Sequence, residues 1–167
     1  MGERLTASDV KKIEEEIENR KLVLRKQLIE AVKEARAQGD LSENFEYYAA
    51  KREKNRNESR IRYLERMLKT ATIVEDKSSE DEVGMNNTVE VYFEEDDELE
   101  TYKLVTSIRG NSMNNYISIE SPIGKAIIGH KVGDRVEVFV NDKVSYFIQI
   151  KSIVKTTDDE DDKIRGF

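Results

Sequence analysis

Gly39-Asp40-Leu41-Ser42-Glu43-Asn44-Phe45-Glu46-Tyr47-Tyr48-Ala49-Ala50-Lys51 decides how this 167-residue chain is read. It is an acidic turn between two long stretches of helical pattern. Upstream, from Ser8 to about Gln38, the residues Val10, Ile13, Ile17, Leu24, Leu28, Ala31 and Ala35 recur at three and four positions, the seam of a coiled coil. Ser8 is the expected N-cap, with Asp9 in the first turn. Gly39 is the natural residue past the helix end, because it accepts the backbone that stops a helix. Downstream, a second helix is expected from about Leu41 to Thr70, with a seam of Ala50, Ile61, Leu64, Leu68 and Ala71 and polar Lys54 and Asn57 between them. No proline interrupts either stretch, and a short connection makes the helices antiparallel neighbours. Thirty residues at helical rise give a hairpin of about 45 Å. The carboxylates therefore stand at its far end, a poor place for a core and a good one for carrying negative charge into another molecule.

Composition sets the bounds. Charged residues make up 38% of the chain and hydrophobic ones 37%, which favours elongated helices with solvated faces plus a small domain over one large core. There is no cysteine, so disulfide frames and thiolate metal sites are excluded. No apolar run approaches the ~20 residues of a membrane span, and no apolar signal core follows Met1-Gly2-Glu3-Arg4. A cytoplasmic protein with no membrane partner is expected. The net charge of −7 is uneven. Residues 1–76 hold 17 basic and 16 acidic side chains, net +1, and residues 77–167 hold 11 and 19, net −8. Free nucleic-acid binding by the whole chain is disfavoured.

Beyond residue 75 the pattern changes. Residues 76–87 are polar and turn-rich and read as a linker. From Thr88 the period becomes two. Val89, Val91 and Phe93, then Tyr102 and Leu104, Ile117 and Ile119, Val136, Val138 and Val140, and Tyr146, Ile148 and Ile150 mark five short strands, mostly antiparallel. Asn141-Asp142 reads as a hairpin turn. Ser121-Pro122-Ile123-Gly124-Lys125-Ala126-Ile127-Ile128-Gly129 reads as one short helix, with Ser121 as N-cap, Pro122 at N1 and Gly129 as its stop. The fold class is α+β: a helical hairpin over residues 1–75, then a small β domain over 88–155. The acidic segment 156–167 is expected to be disordered.

The acidic turn supports two readings. Asp40 followed by Glu43 is nearly a capping box for the second helix, and Ser42 could cap instead. Two carboxylates in adjacent turns can also share a hard cation. Mg²⁺ takes one or two protein carboxylates and completes its shell with water and phosphate oxygens. Asp40 and Glu43 are then half of a metal site, useful where a partner supplies the rest. The lone His130 cannot make a zinc site. Tyr47 and Tyr48 could touch a partner or pack, with packing favoured for Tyr48. Arg52, Lys54, Arg56, Arg60 and Arg62 give the second helix a basic side, with Arg36 opposite.

The stretch from Glu34 to Lys51, together with Ser121–Gly129 and Val132-Gly133-Asp134, resembles the bacterial Gre transcript-cleavage factors, nearest the GreA type. The modest basic strip is unlike the more basic GreB type. The resemblance covers most of residues 8–154. It implies an N-terminal antiparallel coiled coil and a C-terminal domain of FKBP-like fold. It implies a monomer whose partner is bacterial RNA polymerase, entered through the secondary channel. The globular domain would dock at the channel rim, with Ser121, Pro122, Gly124 and Lys125 as candidate contacts. Asp40 and Glu43 would reach the active site, help hold the polymerase's second Mg²⁺ and position the attacking water, so that the polymerase cuts its own backtracked RNA. The factor would have no cofactor of its own and would not be an enzyme alone. Arg36, Tyr47 and Arg52 would lie near the nascent RNA 3′ end. The rival readings are a channel-binding inhibitor on the same scaffold, opposed by the intact Asp40/Glu43 pair, and a structural coiled-coil module, opposed by the separate match at Ser121–Gly129.

Overall fold

The computed structural model describes residues 2–39, 44–110, 114–156 and 162–166. It divides into two compact units, one built on Val10–Ala71 and the other on Arg4–Asp9 with Thr72–Gly166.

The first unit is a helical hairpin. Helix α1 (Ala7–Asn19) runs through a π-helical turn, Arg20–Leu24, into α2 (Arg25–Ala37). Helix α3 (Phe45–Thr70) returns. At 1.5 Å per residue its 26 residues span about 39 Å. The antiparallel register is written in side-chain pairs. Glu16 meets Arg60, Arg20 meets Asn57, and Ala35 meets Asn44. Ile13, Ala35, Ile61 and Leu64 of the expected seam are buried, and Met67 is buried with them. Arg20 and Arg60 converge on Glu16, whose pKa is lowered: burial opposes this, but the hydrogen bonds and charges of Arg60 and Arg20 outweigh it. Asn57 accepts from Arg20 at 2.9 Å and donates to the Arg20 carbonyl at 3.3 Å. That carbonyl opens the π turn, where ladder bonds shift by one residue. Arg25 grips Glu58 with two bonds, at 3.0 and 2.9 Å. Arg60, expected on a solvated basic side, is thus buried between the helices.

Two helix starts differ from expectation. The N-cap of α1 is Thr6, two residues before Ser8. The Asp9 amide donates to the Thr6 hydroxyl at 3.1 Å and the Thr6 amide donates to Asp9 at 3.0 Å, a reciprocal capping box. The N-cap of α3 is Asn44, whose side chain accepts from the Tyr47 amide at 3.0 Å. Its amide nitrogen reaches back to the Ala35 carbonyl, which also accepts from the Gln38 amide at the end of α2. Past α2, Gly39 has φ +134°, a backbone open to glycine.

The second unit is a five-stranded sheet in the order β5-β4-β3-β7-β6, plus a parallel pair of β1 (Arg4–Leu5) with β2 (Thr72–Ile73). The strands are β3 (Thr88–Phe93), β4 (Glu98–Val105), β5 (Tyr116–Ser118), β6 (Arg135–Phe139) and β7 (Ser145–Val154). All pairings in the large sheet are antiparallel except β4 with β5. Helix α4 (Pro122–Ile127) lays Ile123, Ala126 and Ile127 on a core of Val89, Val91, Leu104, Val138, Ile148 and Ile150. The arrangement is α+β, as expected. The β6–β7 connection is built on Asn141, whose side chain accepts from the Lys143 and Val144 amides.

Segments expected to be linker and disordered tail pack into this unit. Within 76–87, Val83 and Met85 join the core and Glu82 bridges to Lys131. The Lys155 ammonium holds the segment by donating to Ser78, Ser79, Glu82 and Asn87 at 2.8–3.0 Å. Of the acidic segment, residues 157–161 lie outside the described residues, but Asp162 is buried against Lys103 and Arg109. Polar composition hid both segments, because their burial rests on ion pairs and on two apolar side chains.

Candidate functional site

Three places carry chemistry. The first is the distal end of the hairpin. Asp40 and Glu43 lie outside the described residues, and the groups that frame them do not. Asn44 caps the start of α3. Tyr47 is buried and Tyr48 is 46% exposed, the reverse of the favoured packing for Tyr48. Arg36 brings its guanidinium carbon to 5.6 Å from the Tyr47 ring centre and donates to the Tyr47 hydroxyl at 3.5 Å. That hydrogen bond lowers the Tyr47 pKa against the effect of burial, and Lys51, Arg36 and Lys54 add their charges. The structure thus brings Arg36 and Tyr47 together as one packed pair. Arg52 sits apart, exposed beside Tyr48, Lys51, Asn55 and Arg56 in a shallow groove along one face of α3. Phe45 is 84% exposed at the first position of α3. An acidic turn flanked by exposed aromatics and cations can present carboxylates while attracting a polyanion beside them.

The second place is the turn into α4. The Ser121 hydroxyl accepts from the Gly124 amide at 3.0 Å and donates to the Ser118 carbonyl at 2.6 Å, so it is committed to the cap. Gly124 is buried, and a Cβ there would lie 2.0 Å from the Ser118 carbonyl oxygen. These two candidate contacts hold the helix on its strand. Pro122 and Lys125 are exposed and remain available to a partner. His130 lies on the surface with Nδ1 3.0 Å from Asp134.

The third place was not anticipated. Arg109 is 1% exposed. Its Nε donates to Asp9 at 2.5 Å, and one terminal nitrogen donates to Asn86 at 2.7 Å and Asp162 at 2.9 Å. Thr106 completes Asp9 at 2.6 Å. Lys103 donates to Asp162 at 3.0 Å. Burial works to raise the Asp162 pKa, but Lys103, Tyr116 and Arg109 outweigh it, and the carboxyl is held below its ordinary range. Residues 9, 109 and 162 are too far apart in sequence for any local pattern to join them. Among the described residues, no group of three or more His, Cys, Asp or Glu could hold a metal ion, and no helix is long and apolar enough to cross a membrane.

The chain thus joins a helical hairpin, with an acidic stretch at its turn, to a sheet domain carrying a short capped helix. The transcription elongation factor N-terminal model matches residues 3–73, and the GreA/GreB C-terminal model matches residues 77–155. The chain belongs to the GreA/GreB family of transcription elongation factors. Its similarity falls on the GreA type. It is 49% identical over 137 residues to "Transcription elongation factor GreA" of Thermoanaerobacter pseudethanolicus, covering 81% of this chain and 87% of the relative. It is 48% identical over 144 residues to that of Clostridium botulinum strain Langeland, covering 86% and 90%. Among solved structures, GreA factor homolog 1 of Thermus thermophilus aligns over 92% of this chain and 99% of its own, at 27% identity and a TM-score of 0.42.

Proposed function

We propose that this GreA-type factor binds bacterial RNA polymerase through the secondary channel and stimulates the polymerase's own cleavage of backtracked RNA. Asp40 and Glu43 help hold the second Mg²⁺ of the polymerase and orient the attacking water. The ion supplies Lewis acidity and charge neutralisation at the scissile phosphate. The donor set fits it, since two carboxylates leave room for water and phosphate oxygens. The factor acts in trans, in the cytoplasm, with no catalytic centre and no cofactor of its own. Pro122 and Lys125 belong to the docking face, and Arg52 with Tyr48 faces the RNA 3′ end.

The observation that carries this reading is the cap. A helix needs one N-cap, and Asn44 fills that role for α3. The start of α3 therefore has a cap within the described residues, which supports reading the acidic pair, by its place in the family motif, as the working residues. A cleavage assay on stalled elongation complexes tests it. RNA shortened from its 3′ end only when the factor is present is the expected result. Inhibited elongation without cleavage would show a channel blocker, and no effect would leave a structural module.

A further inference from the structure

Phe45 is the first residue of α3, and 84% of it is open to solvent. A large apolar ring so exposed adds nothing to the hairpin core, which is built from Ile13, Ala35, Tyr47, Ile61 and Leu64. Its place in the chain sets what it can reach. The Cα–Cβ bonds of a helix tilt toward the helix N-terminus, so the ring leans toward the acidic turn rather than back along α3. Two residues of chain span at most about 7 Å. The backbones of Glu43 and Phe45 are therefore close enough for the two side chains to touch the same nucleotide.

The ring has company on its face of the helix. Tyr48, three residues on, is 46% exposed. It stands edge-on to buried Tyr47, with ring centres 5.4 Å apart and planes at 62°, and Tyr47 is itself held by Arg36. Exposed Lys51 and Arg52 follow about two turns from Phe45, roughly 10 Å along the axis. Exposed rings followed by cations along one face suit single-stranded nucleic acid. Bases stack on the rings, and phosphates are drawn to the charges. In backtracked RNA the bases upstream of the cut are paired with the template, so only an extruded base has both faces free. Building on the proposed role of Asp40 and Glu43, we propose that Phe45 is a base-stacking residue, which takes the first unpaired base on the 3′ side of the cut onto its ring. The stack holds the extruded strand still, and so steadies the scissile phosphate for attack.

The test uses the full-length factor on backtracked elongation complexes whose first unpaired nucleotide is either adenosine or abasic. The readout is acceleration, the cleavage rate at saturating factor divided by the rate without it, which removes any base dependence of the polymerase itself. Wild type should accelerate cleavage about tenfold more with adenosine than with the abasic nucleotide, in the lower part of what one stacked base gives. Phe45→Ala should accelerate both equally, at the wild-type abasic value, and Phe45→Trp should keep the preference. Polymerase affinity of Phe45→Ala, read by competition, should match wild type. No acceleration by wild type on either complex would overturn the proposed role of the acidic pair, and the stack with it. Three results would overturn the stack alone: wild-type acceleration without a base preference, a preference that survives in Phe45→Ala, or weakened polymerase affinity in Phe45→Ala, which would place the ring against protein.

Discussion

At the scale of single residues, helix caps and one close approach decide what each position is for. Asn44 both caps α3 and ties it to the Ala35 carbonyl. Asn44→Ala should cost about 1–2 kcal/mol of hairpin stability, measured by denaturant unfolding of the full chain followed at helical wavelengths. Ser42→Ala, at a position that could also have capped, should cost less than about 0.5 kcal/mol. An equal cost at both would mean the cap is shared. In the second unit Gly124 has no space for a Cβ against the Ser118 carbonyl. Gly124→Ala should lower the melting temperature sharply, by backbone displacement. Lys125→Glu, one residue on and exposed, should leave it unchanged. The sequence showed the Ser121 cap and the Pro122 start because both act within four residues. It offered Asp40 and Ser42 for the cap of α3 and passed over Asn44, although all three are competent cap types. Which one caps depends on where α2 stops and how the chain returns.

At the scale of elements, the hairpin is held by polar pairs as much as by its seam. Coiled-coil spacing predicted the helices and most buried apolar positions. It could not show that Arg60 turns inward, because that depends on Glu16 and Arg20 lying across the interface. Arg60→Ala should cost about 3 kcal/mol, the low end for a buried pair losing one partner, since Glu16 retains some solvent. Glu16 also sets a pH dependence. Its folded pKa is lowered, so its contribution is fully present above the ordinary glutamate pKa. It is lost as pH falls through that range and below the folded value. Thermal unfolding of the helical unit should therefore show an acid-side loss that is smaller in Glu16→Gln. An identical acid slope in the two proteins would remove Glu16 from the cause. The π turn at Arg20–Leu24 was equally invisible; its Arg20 carbonyl accepts both from the Arg25 amide and from Asn57 across the pair.

At the scale of the whole molecule, the order of parts was legible and their edges were not. The change from helical period to period two placed the helical and sheet regions. It missed that Arg4–Asp9 and residues 72–87 fold with the sheet, since that burial uses Leu5, Val83, Met85 and the Lys155 clamp rather than a repeating pattern. The proposed docking face can be probed at exposed Lys125. Lys125→Glu should weaken binding to polymerase, read by competition at low salt, while cleavage at saturating factor is preserved. Unchanged affinity would take Lys125 out of the interface.

The measurement that bears most directly on the working tip is the rate of stimulated RNA cleavage by Asp40→Asn and Glu43→Gln factors at limiting Mg²⁺. Amide replacements keep size and some hydrogen bonding but remove the charge that holds the ion. Loss of ~3–4 kcal/mol in the transition state gives a fall of roughly 10²–10³ in rate. Polymerase affinity should be unchanged, and hairpin stability should hold because Asn44 caps α3. Added Mg²⁺ should recover part of the rate, since the missing carboxylate mainly lowers metal occupancy. Cleavage at the wild-type rate at limiting Mg²⁺ would contradict the assignment of Asp40 and Glu43 as the working residues.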